Sequence, residues 1–136
     1  MRHIVPLALV LVTTSAWSAT PQSLLDEYTA AAQRDDKSFT AADPERGKSI
    51  YSTAKQHSNG EQSACATCHT DNPTQTGSHH KTKKAIEPLA PSANPKRFTD
   101  SAKVEKWFKR NCNDVLERTC TNAEKADFLS YLLSVK

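Results

Sequence analysis

Methionine occurs once among the 136 residues, at position 1. No later position can offer a thioether ligand. Long apolar runs are as scarce. The only one covers residues 4–12, far short of the roughly 20 residues of a membrane-spanning helix. Strand-type alternation is nearly missing, so a sheet is excluded as the main architecture. There is no strong charge of either sign. The 18 basic and 15 acidic residues leave a net +3, which gives no case for nucleic acid as a partner. No internal repeat and no low-complexity segment occurs.

Arg2 and His3 lead into the apolar run, and small or polar residues follow it to Ala19. That order reads as a secretory leader over residues 1–19, with Ala16 and Ser18 at the small-residue positions and cleavage after Ser18 or Ala19. The run is too short for an anchor. The remainder, residues 20–136, is about 118 residues with a net charge of about +2, enough for one domain. Export places it in an oxidising compartment, read here as the periplasm.

Helical patterns fill most of that remainder. Residues 22–35 carry Leu24, Leu25, Tyr28, Ala31 and Ala32 on one face. Asp43-Pro44 opens a second helix as cap and first-turn proline. Its face is Gly47, Ile50, Tyr51 and Ala54, and Gly47 predicts close approach of another helix. Asn59-Gly60 marks a turn, and residues 71–99, with four prolines, read as an irregular loop. Thr99 or Asp100 caps a third helix over 101–110, its inner face formed by Val104, Trp107 and Phe108. Thr121 and Glu124 form a capping box for the last helix, with Phe128, Leu129, Leu132 and Val135 as its stripe and Tyr131 beside them.

The chemistry concentrates in Cys65-Ala66-Thr67-Cys68-His69. This C-x-x-C-H pattern is the attachment signature of a c-type haem. Two thiols three apart can bond the two vinyl groups of one porphyrin, and the following imidazole falls beneath the iron. A zinc site needs two further ligands and a thioredoxin-like pair needs a βαβ context; neither pattern is present. One covalent haem c is therefore the cofactor expected. The remaining cysteines, Cys112 and Cys120, are expected to pair, and so short a bridge contributes about 2–3 kcal/mol. Without methionine, the opposite face of the iron is left to a histidine, a weaker ligand, water or nothing. His57, His79 and His80 are the histidine candidates, although adjacent histidines beside lysines commonly stand in solvent.

Residues 84–100, with Glu87-Pro88-Leu89-Ala90-Pro91 and Asn94-Pro95-Lys96-Arg97-Phe98, resemble a characteristic loop of one known family. Trp107-Phe108-Lys109-Arg110-Asn111-Cys112, then Cys120-Thr121 and Glu124-Lys125, resemble its segment on the far side of the iron. The family is the sphaeroides haem protein group of class I cytochromes c. The resemblance spans nearly all of residues 20–136. It implies an all-α, class I cytochrome c-like domain, here with an additional N-terminal helix, in which the helix of Gly47 and Tyr51 crosses the last helix near Phe128 and Tyr131. It also implies an asparagine as distal iron ligand, which maps onto Asn111. Spacing alone favours Asn111, one turn beyond Trp107, as the cap of a helix end. One departure is Glu117, within Leu116-Glu117-Arg118, where the family leads one to expect glycine.

The function so implied is a monomeric periplasmic haem protein that takes electrons and binds O2, NO or CO. An amide oxygen is a hard, weak donor that suits ferric iron better than ferrous. Reduction would then release Asn111, with Trp107 and Phe108 limiting water. A dihaem cytochrome c and a membrane cytochrome b are the electron donors the resemblance implies. Lys81, Lys83, Lys84, Lys96 and Arg97, with Lys103, Lys106 and Arg110, would steer an acidic redox partner. The alternatives are a plain electron carrier with two histidine ligands, using His79 or His80, and a haem enzyme: an oxidase, peroxidase or NO dioxygenase. No second histidine, arginine or carboxylate is placed by spacing as a distal acid–base group.

Overall fold

The computed structural model describes residues 19–136. The predicted leader covers residues 1–19, and its first 18 residues lie outside the described ones. Five helices carry the fold: α1 (Pro21–Asp35), α2 (Pro44–Ser52), α3 (Cys65–His69), α4 (Ser101–Leu116) and α5 (Asn122–Ser134). Four two-residue strands complete it. β1 (Lys55–Gln56) pairs antiparallel with β2 (Gln62–Ser63), and β3 (Gly77–Ser78) with β4 (Ala85–Ile86). Gly60 turns the first hairpin at φ 84°, the region open to glycine at no steric cost. Among the described residues no helix is long and apolar enough to cross a membrane.

Local capping starts the long helices. Thr20 accepts from the Ser23 amide at 3.0 Å, Asp43 from Glu45 at 2.8 Å and Asp100 from Lys103 at 3.0 Å. At α5 the box is reciprocal: Glu124 N–H donates to Thr121 Oγ1 at 3.1 Å and Thr121 N–H to Glu124 at 2.9 Å. Each such contact satisfies an amide that the first turn leaves unpaired.

Two apolar clusters lie on either side of α5. Leu24 and Tyr28 of α1 meet Val104, Phe108 and Cys112 of α4 and Ala126 and Leu129 of α5. Tyr51 of α2 packs with Tyr131 and Leu132, and Cys65, Ala66 and Leu89 adjoin this second group. Phe98 and Phe128 touch both clusters. The crossing of α2 on α5 depends on Gly47: a Cβ there would lie 2.8 Å from Tyr131 Cβ and still closer to the Asp127 carbonyl. The same crossing holds a buried charge. The Asp127 carboxylate accepts from the Asp43 amide (2.8 Å) and from Arg46 Nε (2.7 Å) and Nη2 (2.8 Å), so no lone pair facing the core is stranded.

The structure corrects three readings of α4. The helix continues to Leu116, six residues beyond Arg110, so Asn111 lies within it and caps nothing. Its inner face is Val104, Phe108 and Cys112, an i, i+4, i+8 stripe, while Trp107 is 43 % exposed. Glu117 ends the helix in the left-handed region, at φ 54° and ψ 26°, the place glycine commonly takes. Its carboxylate accepts from the Ser58 amide (2.9 Å) and hydroxyl (2.7 Å) of the β1–β2 hairpin. Those bonds offset the backbone cost that a glycine would avoid. In α2, Ala54 falls beyond the helix end and is exposed.

Candidate functional site

The site is built around α3, one turn and a half of helix that carries the C-x-x-C-H residues and little else. Thr67 Oγ1 accepts from the Ala64 amide at 3.0 Å and starts the turn. Cys65 and Cys68, three residues apart, fall on one face. Both thiols are free and part-buried. Burial, the largest cause, pushes the Cys65 thiol up to about 11, and Cys68 nearby adds to the rise.

His69 is part-buried. Burial first, and the Arg97 guanidinium second, lower it to about 4. Its imidazole is therefore neutral at ordinary pH, the form in which histidine binds iron. Arg97 is held in place: Nε donates to the Pro88 carbonyl at 2.9 Å and Nη2 to the Glu87 carbonyl at 2.8 Å. This removes Arg97 from the solvated basic patch in which the sequence placed it. Leu89 and Ala90 N–H groups both donate to the Pro73 carbonyl at 2.9 Å, so the 71–99 segment is tied down as well.

Two supports of α3 were not foreseen. A Cβ on Gly77 of β3 would lie 3.0 Å from His69 Cα and closer to the Cys68 carbonyl oxygen. Only glycine lets that hairpin lie against the motif. Tyr51, fully buried in α2, donates from its hydroxyl to the His69 carbonyl (3.1 Å) and the Thr70 carbonyl (2.5 Å). Burial raises its phenol pKa, so it stays a donor. The sequence marked Tyr51 only as an apolar contact, and no spacing rule announces its hydroxyl.

Two of the histidine candidates bond away from the motif, and the third lies beside it. His57 Nε2 lies 3.0 Å from the Val115 carbonyl at the end of α4. His79 Nδ1 accepts from the Lys81 (3.3 Å) and Thr82 (3.2 Å) amides within its own turn and stacks on His80. His80 Nδ1 is 3.5 Å from Cys68 Sγ, beside the attachment motif. Asn111 stands on α4 with its side chain exposed, and among the described residues its carboxamide has no hydrogen-bond partner. It shares a face with Trp107, whose ring carries the Arg110 guanidinium 5.4 Å from its centroid. The next residue, Cys112, is disulfide-bonded to Cys120, with Cα atoms 5.6 Å apart. Phe108, expected with Trp107 to limit water, is buried against Tyr28 and Phe128.

The residues present fit a haem. Two unpaired thiols on one face precede a neutral, enclosed imidazole, and among the described residues no group of three or more His, Cys, Asp or Glu gathers around them as a metal-ion set. Cys65, Cys68 and His69 are the side chains that would hold it.

Comparisons with known proteins bear on the family and the fold. The family model described as "Domain of unknown function (DUF1924)" matches residues 37–132. The chain is 41 % identical over 131 residues to the cytochrome c-type protein SHP of Cereibacter sphaeroides, covering 96 % of each chain. It is 41 % identical over 113 residues to cytochrome c'' of Methylophilus methylotrophus, covering 83 % of this chain and 78 % of that one. The crystal structure of oxidised cytochrome c'' superposes with a TM-score of 0.80 at 40 % identity, over 85 % of this chain and 94 % of the other. Oxidised SHP, described as an oxygen-binding cytochrome c, superposes with a TM-score of 0.74 at 44 % identity, over 85 % and 96 %. A solution structure of cytochrome c'' is presented as insight into haem-ligand detachment.

Proposed function

The chain belongs to the sphaeroides haem protein family of c-type cytochromes, and from that premise we propose that it is a periplasmic, monomeric, monohaem cytochrome that accepts electrons and binds a small diatomic ligand. Its fold is the class I cytochrome c-like helical domain of that family. The observation that carries the reading is the short helix α3 itself, in which two unpaired, part-buried thiols are followed directly by His69. A haem held there would supply an iron that changes oxidation state and can take a small ligand.

In this reading Cys65 and Cys68 tether the porphyrin covalently. His69 is the proximal ligand. Asn111 would be the weak, oxygen-donating ligand that suits the ferric state and is given up on reduction, and its amide N–H would be available to O2, NO or CO. Two features of α4 support Asn111 in that role. Its carboxamide is not committed within the described fold, and the Cys112–Cys120 bridge fixes the backbone beside it. The bonds of His57 to the Val115 carbonyl and of His79 within its own turn favour the asparagine over either of these histidines. Oxygen binding by one relative and ligand detachment in the other give the precedent.

Lys81, Lys83, Lys84, Lys96, Lys103 and Lys106 remain exposed and form the electropositive surface for an acidic electron donor. A dihaem cytochrome c and a membrane cytochrome b are the partners in this scheme.

One absorption series tests the reading. The purified protein is recorded oxidised, then reduced, then reduced under carbon monoxide. The expected result is a low-spin ferric spectrum, a high-spin ferrous one and a new Soret band with carbon monoxide. Asn111→Ala is expected to turn the ferric form high-spin, while His79→Ala leaves it unchanged. A ferrous protein that stays low-spin and ignores carbon monoxide refutes ligand release.

A further inference from the structure

We propose that Tyr51 is a positioning residue for His69: its hydroxyl fixes the turn that ends α3 and so sets the direction of the imidazole. The inference rests on the reading of His69 as the iron ligand and goes beyond it, because Tyr51 lies on another helix and touches only backbone.

Helix α3 has five residues, too few to hold its own shape. It ends at Thr70, whose φ of 63° and ψ of 168° form a conformation almost confined to glycine. A threonine keeps that geometry only if its surroundings impose it. The local Thr70–Asn72 bonds, Thr70 Oγ1 to the Asn72 carbonyl at 2.7 Å and Asn72 N–H back to Oγ1 at 3.2 Å, do not reach the preceding carbonyls. Tyr51 does. One phenolic proton serves both the His69 and Thr70 carbonyls.

The donor is itself fixed. Its ring lies between Phe128 (centroids 6.2 Å apart) and Tyr131 (5.4 Å). The helix beneath it is locked on α5 by Gly47 and by the Arg46–Asp127 pair. The direction of His69 is thereby referred to the α2–α5 crossing, the most closely packed junction of the fold. Phenylalanine would fill the same space and remove only the donor.

The test uses the haem-loaded protein and Tyr51→Phe. Two quantities are read: the ferric EPR g-values, which report the orientation of the axial imidazole, and amide hydrogen exchange over residues 69–72. The expected result is displaced or broadened g-values and exchange about tenfold faster, the loss of one net hydrogen bond. Tyr28→Phe is the control, since it removes a hydroxyl bonded to Glu105 at 2.6 Å, on the opposite cluster. It is expected to lower thermal stability and move neither readout. Unchanged readouts in Tyr51→Phe, or equal changes in Tyr28→Phe, overturn the proposal. Should Tyr51→Phe fail to fold, 3-fluorotyrosine at position 51 keeps the ring and strengthens the donor. Exchange over 69–72 must then slow, and unaltered exchange overturns the proposal. A protein that carries no covalent haem refutes the cytochrome reading instead, and the exchange readout still decides the role of Tyr51.

Discussion

Replacing both Cys112 and Cys120 with alanine removes the bridge without leaving a reactive thiol. The two cysteines are eight residues apart, and closing so short a loop removes about 2.6 kcal/mol of unfolded-chain entropy. Cys112 is also buried among Val104 and Phe108, and the missing sulfur leaves a gap that costs about 1 kcal/mol. Together these lower stability by roughly 3.5 kcal/mol, which for a domain of this size displaces Tm downward by roughly 10–15 °C. The assay is thermal unfolding of the oxidised protein followed by circular dichroism, with urea unfolding as a check that the m-value is unchanged. The bridge also follows Asn111 directly, so the ferric spectrum well below Tm should gain a high-spin fraction. A Tm within 3 °C of the parent would refute the loop-closure reasoning. A full loss of stability with an unaltered ferric spectrum would refute the claim that the bridge positions Asn111.

Two further outcomes follow from the packing. Gly47→Ala should cost about 3 kcal/mol, at the upper end for overpacking, because the new methyl meets the Asp127 backbone as well as Tyr131; Gly60→Ala, in open space at φ 84°, should cost only about 1 kcal/mol, and urea titrations of the two would expose an error if the order reversed. The Glu124 carboxyl is held below its ordinary 4.5, chiefly by the Arg118 hydrogen bond. Its contribution to stability is thus complete above about 4.5 and is lost as pH falls through the depressed folded value. Glu124→Gln should therefore be less stable than the parent at pH 7, with the difference shrinking below pH 4.5, and parallel urea curves from pH 7 to 3 would contradict this.

Much of the fold was legible because its signals are local. Asp43-Pro44 and the Thr121–Glu124 box announce helix starts by chemistry that operates within four residues. Gly47 was legible for a different reason: a glycine inside a helix is unfavourable unless a neighbour demands it. The extent of α4 was not legible. Residues 111–114 are Asn-Cys-Asn-Asp, weak helix formers that suggest an ending. They stay helical through partners outside the helix: the bridge from Cys112 to Cys120 and, just beyond them, the bonds of His57 and Ser58 to Val115 and Glu117. The face of Trp107 was misread because Val104, Trp107 and Phe108 fit two helix orientations equally. Counting on to Cys112 selects the observed one. At the site, the thiols and His69 were readable from five contiguous residues. The parts that enclose them, Tyr51, Gly77 and Arg97, come from three separate segments, and their roles exist only once the chain is folded.

Phe128 offers one face to Phe108 (5.7 Å) and another to Tyr51 (6.2 Å). Its ring is the mortar between the two halves of the interior. Neither half can loosen while the other stays intact, so the domain melts as a single thermodynamic unit. A defect introduced beneath α1 consequently lowers the melting temperature of the whole domain, while the folded haem motif keeps its orientation.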